Sequence, residues 1–238
     1  MSTESYYISP REFMKLEADS LKKASNCSEF QKISNSKLVN DFSACRNGLE
    51  YDNAFNCITH FQVNYADTEL IVVLGVNIVV DSGSGLFSEN SYKFLIICPS
   101  RKEVIRCIQF DFEHFVKRNK EPKPSLHLQM DKGLSPVLNY CQKELEIEID
   151  KEELKGKEYD KPRIPIYPIC TVLLLDLLFL EFQTDNRYEN VVLSKTWKNA
   201  IKMAEDVLLL KYYNFCSDHL ASTNPNKKLL SHLLYDHT

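Results

Sequence analysis

The sequence predicts an α+β protein in which an antiparallel meander sheet packs against N-terminal and C-terminal helices. Three observations predict it. A capped amphipathic helix opens the chain. β-branched and aromatic residues then alternate from about residue 56 to 130, and helical apolar spacing returns after residue 168. The turns between the alternating runs are too short for crossover helices, which disfavours a parallel, doubly wound sheet. The 238 residues suffice for a sizeable core, and no internal repeat or flexible linker divides them. One domain over 1–238 is therefore expected, helical over 1–50, sheet over 56–150 and helical over 166–236.

Taken in order, Ser9-Pro10-Arg11-Glu12 is a capping box with proline at the first helical position, and it opens a helix to about Ala24. Phe13, Leu16, Ser20 and Leu21 give that helix its stripe. Phe30, Ile33, Leu38, Val39 and Phe42 support a second helix that stops at Asn47-Gly48. Strands are expected at Cys57–Tyr65, Leu70–Val80, Tyr92–Cys98, Val104–Phe112 and Ser125–Met130, with a turn at Pro99-Ser100-Arg101-Lys102 and a loop at Asp81–Gly85. Between Gln142 and Lys161 there are eight acidic and five basic residues; Leu145, Ile147 and Ile149 alternate among them, which predicts a strand and then a surface excursion. Pro162, Pro165 and Pro168 exclude helix or central strand and predict an extended lead into the next helix. That helix, near Ile169 to Gln183, is apolar almost all round and should be buried. From Ser194 onward Trp197, Ile201, Ala204, Leu208, Tyr212 and Phe215 recur at helical steps, with Lys195, Lys198 and Lys202 on another side, and a short helix is expected after Asn224-Pro225.

Composition narrows the function classes. With 44% hydrophobic and 26% charged residues the chain is an ordinary globular protein. Six glycines and no G-x-G-x-x-G or Walker-type string leave no standard nucleotide fingerprint. A net charge of −4 gives no global attraction to nucleic acid or anionic membrane. The start lacks the features of a secretory signal, and the longest apolar run, 12 residues from Ile164, is shorter than the roughly 17–25 of a membrane span, so a cytoplasmic protein with no membrane contact is expected. Eight cysteines are scattered without C-x-x-C or zinc-ligand spacing, which reads as reduced thiols, with Cys98, Cys107 and Cys170 as small core residues.

Few residues carry candidate chemistry. His127 sits mid-strand between Leu126 and Leu128 and serves either as a base or ligand or as a structural hydrogen-bonding residue. Asp111 and Glu113 fall on one face of a strand, a usable pair for Mg²⁺ or acid/base work; no lysine follows at the next alternate position, where Phe115 stands. Arg163, held between prolines, is placed to bind a carboxylate or phosphate, or to pair internally with Asp111, Glu113 or Asp176. Asp176 interrupts an apolar helix and needs a partner or a water-lined site. Basic clusters at Arg101/Lys102/Arg106, Lys117/Arg118/Lys120/Lys123 and Lys195/Lys198/Lys202 form a nucleic-acid surface only if the fold gathers them; otherwise they are solvated loops and a helix exterior.

The order Phe110-Asp111-Phe112, Pro124-Ser125-Leu126-His127-Leu128, Pro162-Arg163-Ile164-Pro165 with Pro168, and Leu175-Asp176-Leu177-Leu178-Phe179-Leu180-Glu181-Phe182 resembles the bacterial domain-of-unknown-function 2290 family. The link between His127 and Arg163 is longer here, and the aromatic tail of the helix is altered. The resemblance implies a bacterial cytosolic protein and groups Asp111, His127 and Arg163 without assigning a reaction; such families often lie near restriction or phage-defence genes.

Three functions are therefore carried forward. The first is an accessory or interaction protein with a protein partner, in the setting of phage defence, without cofactor or metal. The second is a phosphodiesterase acting on nucleic acid, with Mg²⁺ held by Asp111 and Glu113, His127 as base and Arg163 as phosphate clamp. The third is an anionic-ligand sensor built on Arg163 and nearby basic residues.

Overall fold

The computed structural model describes residues 8–33, 40, 54–80, 87–112, 126–129, 134–149, 164–165 and 168–222. Six strands form one sheet: β1 (Ala54–Tyr65), β2 (Thr68–Val80), β3 (Phe87–Cys98), β4 (Glu103–Phe112), β5 (Leu126–Gln129) and β6 (Ile164–Pro165). Their spatial order is their order in sequence, and each neighbouring pair is antiparallel, the meander expected from the short turns. Ala66-Asp67, both at positive φ, join β1 to β2 in the tight turn that suits twisted hairpins. Lys102, also left-handed, closes the Pro99–Arg101 turn before β4. Among the described residues β6 pairs only with β5, so Pro165 withholds no hydrogen bond from a further strand there.

The helices among the described residues are α1 (Pro10–Ser25), α2 (Ser28–Gln31), α3 (Ser135–Glu144), α4 (Thr171–Glu181), α5 (Asn186–Leu193) and α6 (Lys195–Ser222). The capping box forms as expected: the Glu12 amide donates to Ser9 Oγ at 3.3 Å, and the Ser9 amide to the Glu12 carboxylate at 3.2 Å. Strand alternation then sorts the sheet into two faces. Val72, Leu74, Val76, Tyr92, Phe94 and Phe110 pack against α1, α4, α5 and α6 in the main core. Ile71, Val73, Leu95 and Ile97 face the other way, under Val137, Leu138 and Cys141 of α3. β2 is therefore buried on both faces, which explains its nearly unbroken apolar run Leu70–Val76.

Gly75 marks where α3 crosses the sheet, because a Cβ there would lie 3.0 Å from Val137 Cγ2. Gly75→Val should overpack this contact and cost about 1–3 kcal/mol by urea unfolding. An unchanged midpoint would show that α3 is not seated on the strand.

Four expectations are corrected or extended. No strand forms at 145–149: Glu146 turns left-handed at φ 55°, and the Ile147 amide returns to the Cys141 carbonyl at 3.1 Å to end α3. Leu145, Ile147 and Ile149 still pack on the second core, as partly buried residues of an irregular segment. α3 and α5 themselves were not anticipated. α4 is not buried all round, since Leu177 and Leu180 are exposed. Of the expected second helix the described residues show α2 and a helical Asn40; the rest of it, with the expected stop at Asn47-Gly48, lies outside the described residues, as does the short helix after Asn224-Pro225.

One buried acid ties these layers together. Glu17 of α1, fully buried, accepts hydrogen bonds from the Thr171 amide at 3.0 and 3.2 Å and from Tyr92 Oη. Cys170, the residue preceding α4, supplies no side-chain cap, so a carboxyl from another helix caps α4 instead. Burial raises the Glu17 pKa to about 7, against the opposing pull of its hydrogen bonds. Burial likewise pushes the neighbouring Cys170 thiol well above its ordinary value, as expected of an inert core cysteine.

Candidate functional site

Register brings two of the expected site residues together. Asp111 of β4 stands directly opposite His127 of β5. The same row continues to Ser91 of β3, Asn77 of β2 and Asn56 of β1, so five polar positions cross the sheet on the face that carries α3. The adjoining row runs Gly75, Lys93, Gln109, Gln129. Ser91 is only 3% exposed, and among the described residues its hydroxyl has no hydrogen-bond partner. An unpaired buried hydroxyl is costly, so Ser91 is one of the sheet's polar residues that packing alone does not explain, together with its neighbour Asn90, whose buried side-chain amide also lacks a partner among the described residues.

The order of the row limits its chemistry. A serine relay needs histidine between serine and aspartate, but here Asp111 lies between Ser91 and His127, which are two strands or about 10 Å apart. Glu113 and Arg163 lie outside the described residues. Among the described residues no group of three or more His, Cys, Asp and Glu side chains is placed to hold a metal ion.

Asp176 belongs to the opposite side of the sheet. It sits on α4, in the helical layer, and accepts a 2.7 Å hydrogen bond from Trp197 Nε1 of α6. Burial raises its pKa while the indole donor lowers it. The partner that an acid in an apolar helix requires is thus an indole N–H.

Asp176 also lines the second feature, an open groove between α4, α5 and α6 of about 410 Å³. Leu180, Val192, Leu193 and Ile201 give it apolar walls, and Lys198, Lys202 and Glu205 of α6 form one rim. Leu180 and Leu193 are 43% and 59% exposed, and Leu177, three residues before Leu180 on α4, is 54% exposed. The groove exists because Asp185 starts α5 sharply: its carboxylate accepts from the Arg187 amide at 3.1 Å and from the Asn64 amide of β1 at 3.2 Å. That pins the α4–α5 turn to the edge of the sheet, with Asp185 held below the ordinary carboxylate range by its Arg187 hydrogen bonds.

Two of the three basic clusters lie among the described residues. Arg106 is paired with Glu181 and Arg101 approaches Glu103 at 4.0 Å; the cluster at 117–123 lies outside the described residues. Lys195, Lys198 and Lys202 form an exposed or half-exposed stripe on α6. No helix among the described residues is long and apolar enough to cross a membrane. The sequence pattern does not show the groove, although Leu193, an apolar residue two positions before the long helix begins, is a usable signal.

The fold and these two features define an α+β protein with, among the described residues, a six-stranded antiparallel meander, a helical layer on one face and the helix α3 on the other. In comparisons with known proteins, no family model, no curated protein and no solved structure matches this chain.

Proposed function

We propose that the chain is an accessory component that works by binding a protein partner through the groove between α4, α5 and α6. The observation that carries this reading is the pair Leu180 and Leu193, largely exposed and lining the same groove. Scattered exposed leucines are ordinary, but apolar residues grouped around a concavity mark an interaction surface. The resemblance to the 2290 family adds a bacterial setting and the neighbourhood of phage-defence genes.

A second reading has one observation in its favour. The cross-strand pairing of Asp111 with His127, beside the buried hydroxyl of Ser91, suits a phosphodiesterase that uses Mg²⁺, in which Asp111 holds the ion and His127 takes a proton.

The purified chain, assayed with Mg²⁺ or Mn²⁺ on single- and double-stranded DNA and RNA, separates the two. The accessory reading expects no cleavage by the chain alone. Cleavage that disappears in both Asp111→Ala and His127→Ala would replace it with the enzyme.

A further inference from the structure

We propose that the groove between α4, α5 and α6 receives an amphipathic helix of the partner whose apolar face is flanked by acidic residues. This rests on the accessory reading above and adds the chemistry of what is bound. The shape comes first. The groove is open rather than enclosed, and its walls are helices, with the apolar residues Leu180, Leu193 and Ile201 contributed one each by α4, α5 and α6. A helix that lays residues i, i+3 or i+4, and i+7 into an apolar groove is a recurring way to fill such a surface, and walls made of helices offer an extended peptide no strand edge to pair with.

Charge selects the flank. Lys195, Lys198 and Lys202 recur at steps of three and four and form one stripe of about two turns along α6. None of the three has an ion-pair partner among the described residues, in a chain of net charge −4. Of the two acids in the groove, Asp176 is engaged by the Trp197 indole, and Glu205 stands one turn beyond Ile201 at the far end of the stripe. The rim therefore runs from basic over the first two turns of α6 to acidic at Glu205, one turn further on, and an incoming helix must carry its carboxylates over Lys198 and Lys202 and away from Glu205. Nucleic acid fits less well, because the lysines border an apolar floor that also contains Asp176 and Glu205.

The test is selection of helical peptides from a display library against the full chain, with counter-selection against Leu193→Asp. Leu193 is exposed, so this variant should keep the fold, which circular dichroism verifies. The expected survivors carry apolar residues at helical spacing with acids on one flank. Fluorescence anisotropy on a labelled survivor should show binding weakened about tenfold or more by Lys198→Glu with Lys202→Glu, and weakened by salt. Survivors that are basic or neutral, no enrichment over the counter-selection, or binding indifferent to the double reversal would overturn the acidic-helix proposal. A labelled 20-nucleotide single strand that binds and is released by the same double reversal would overturn it in favour of nucleic acid. Failure of the accessory reading looks different: it is cleavage by the purified chain that depends on Asp111 and His127, whatever peptides are recovered.

Discussion

Trp197→Ala is expected to lower stability by about 3–5 kcal/mol in urea unfolding, the range for removing a large aromatic from a packed core. Trp197 is fully buried, with its ring 5.3 Å from those of both Phe30 and Phe179, so it joins α2, α4 and α6 at one point. Its removal leaves a cavity that three elements would have to close together. It also strips Asp176 of its indole donor inside an apolar helix. Trp197→Phe separates the two losses, since it keeps most of the ring packing and deletes the N–H; a cost of about 1–3 kcal/mol is expected for the abandoned carboxyl acceptor. If Trp197→Ala unfolds within 1 kcal/mol of the wild type, the helical layer is not built around this residue.

The second large effect is a dependence of stability on pH that originates at Glu17. Its carboxyl titrates near 7 in the folded protein and near its ordinary 4.5 in the unfolded chain, so between these values the folded state holds a proton that the unfolded state has released. The stability from this group is complete below pH 4.5 and is lost as pH rises to 7, by about 3 kcal/mol for a gap of this size. The groups facing Glu17 are Tyr92 from β3, Thr171 from the start of α4 and Cys170 just before it, whose thiol burial pushes well above its ordinary value. Other acids act in the opposite sense at lower pH: Glu12, held down by Lys211, and Asp185, held down by Arg187, lose their contribution as they are protonated. The comparison that isolates Glu17 is therefore wild type against Glu17→Gln across pH 4.5–8. The amide keeps an acceptor for the Thr171 amide and cannot ionise. The difference between the two proteins should shift in favour of the variant as pH rises and level off above 7; a difference constant with pH would mean that Glu17 is not held near neutrality.

Much of the fold was legible because local and global signals agree. Alternation is visible in β1, where one face meets the helical layer, β2 shows itself as an apolar run buried on both faces, and the steps from Trp197 to Leu208 describe the buried stripe of α6 directly. α3 was hidden because Val137, Leu138 and Cys141 sit beside a charged run whose alternation imitates a strand; the left-handed turn at Glu146 that separates the two is a backbone property with no side-chain signature. α5 was hidden by its length, eight residues. Glu17 could have been found, since it falls at the step of four between Phe13 and Leu21, inside the apolar stripe of α1, where a charged residue needs a reason.

The candidate site was half legible. Two-residue alternation placed Asp111 and His127 on chosen faces of their strands, and strand register, which no local pattern in these strands encodes, set them opposite each other. Asp176 was correctly seen to need a partner, but the partner is 21 residues away in sequence and belongs to another helix. The groove depends on how three helices meet, and only packing reveals it.

Size-exclusion chromatography with light scattering, run on complexes recovered from the source cell with the wild-type chain and with Leu193→Asp, tests the docking surface most directly. Docking through the groove predicts a complex of fixed stoichiometry with the wild type and free chain with Leu193→Asp. A complex recovered in undiminished yield with Leu193→Asp, or a wild-type chain that elutes alone, would contradict it.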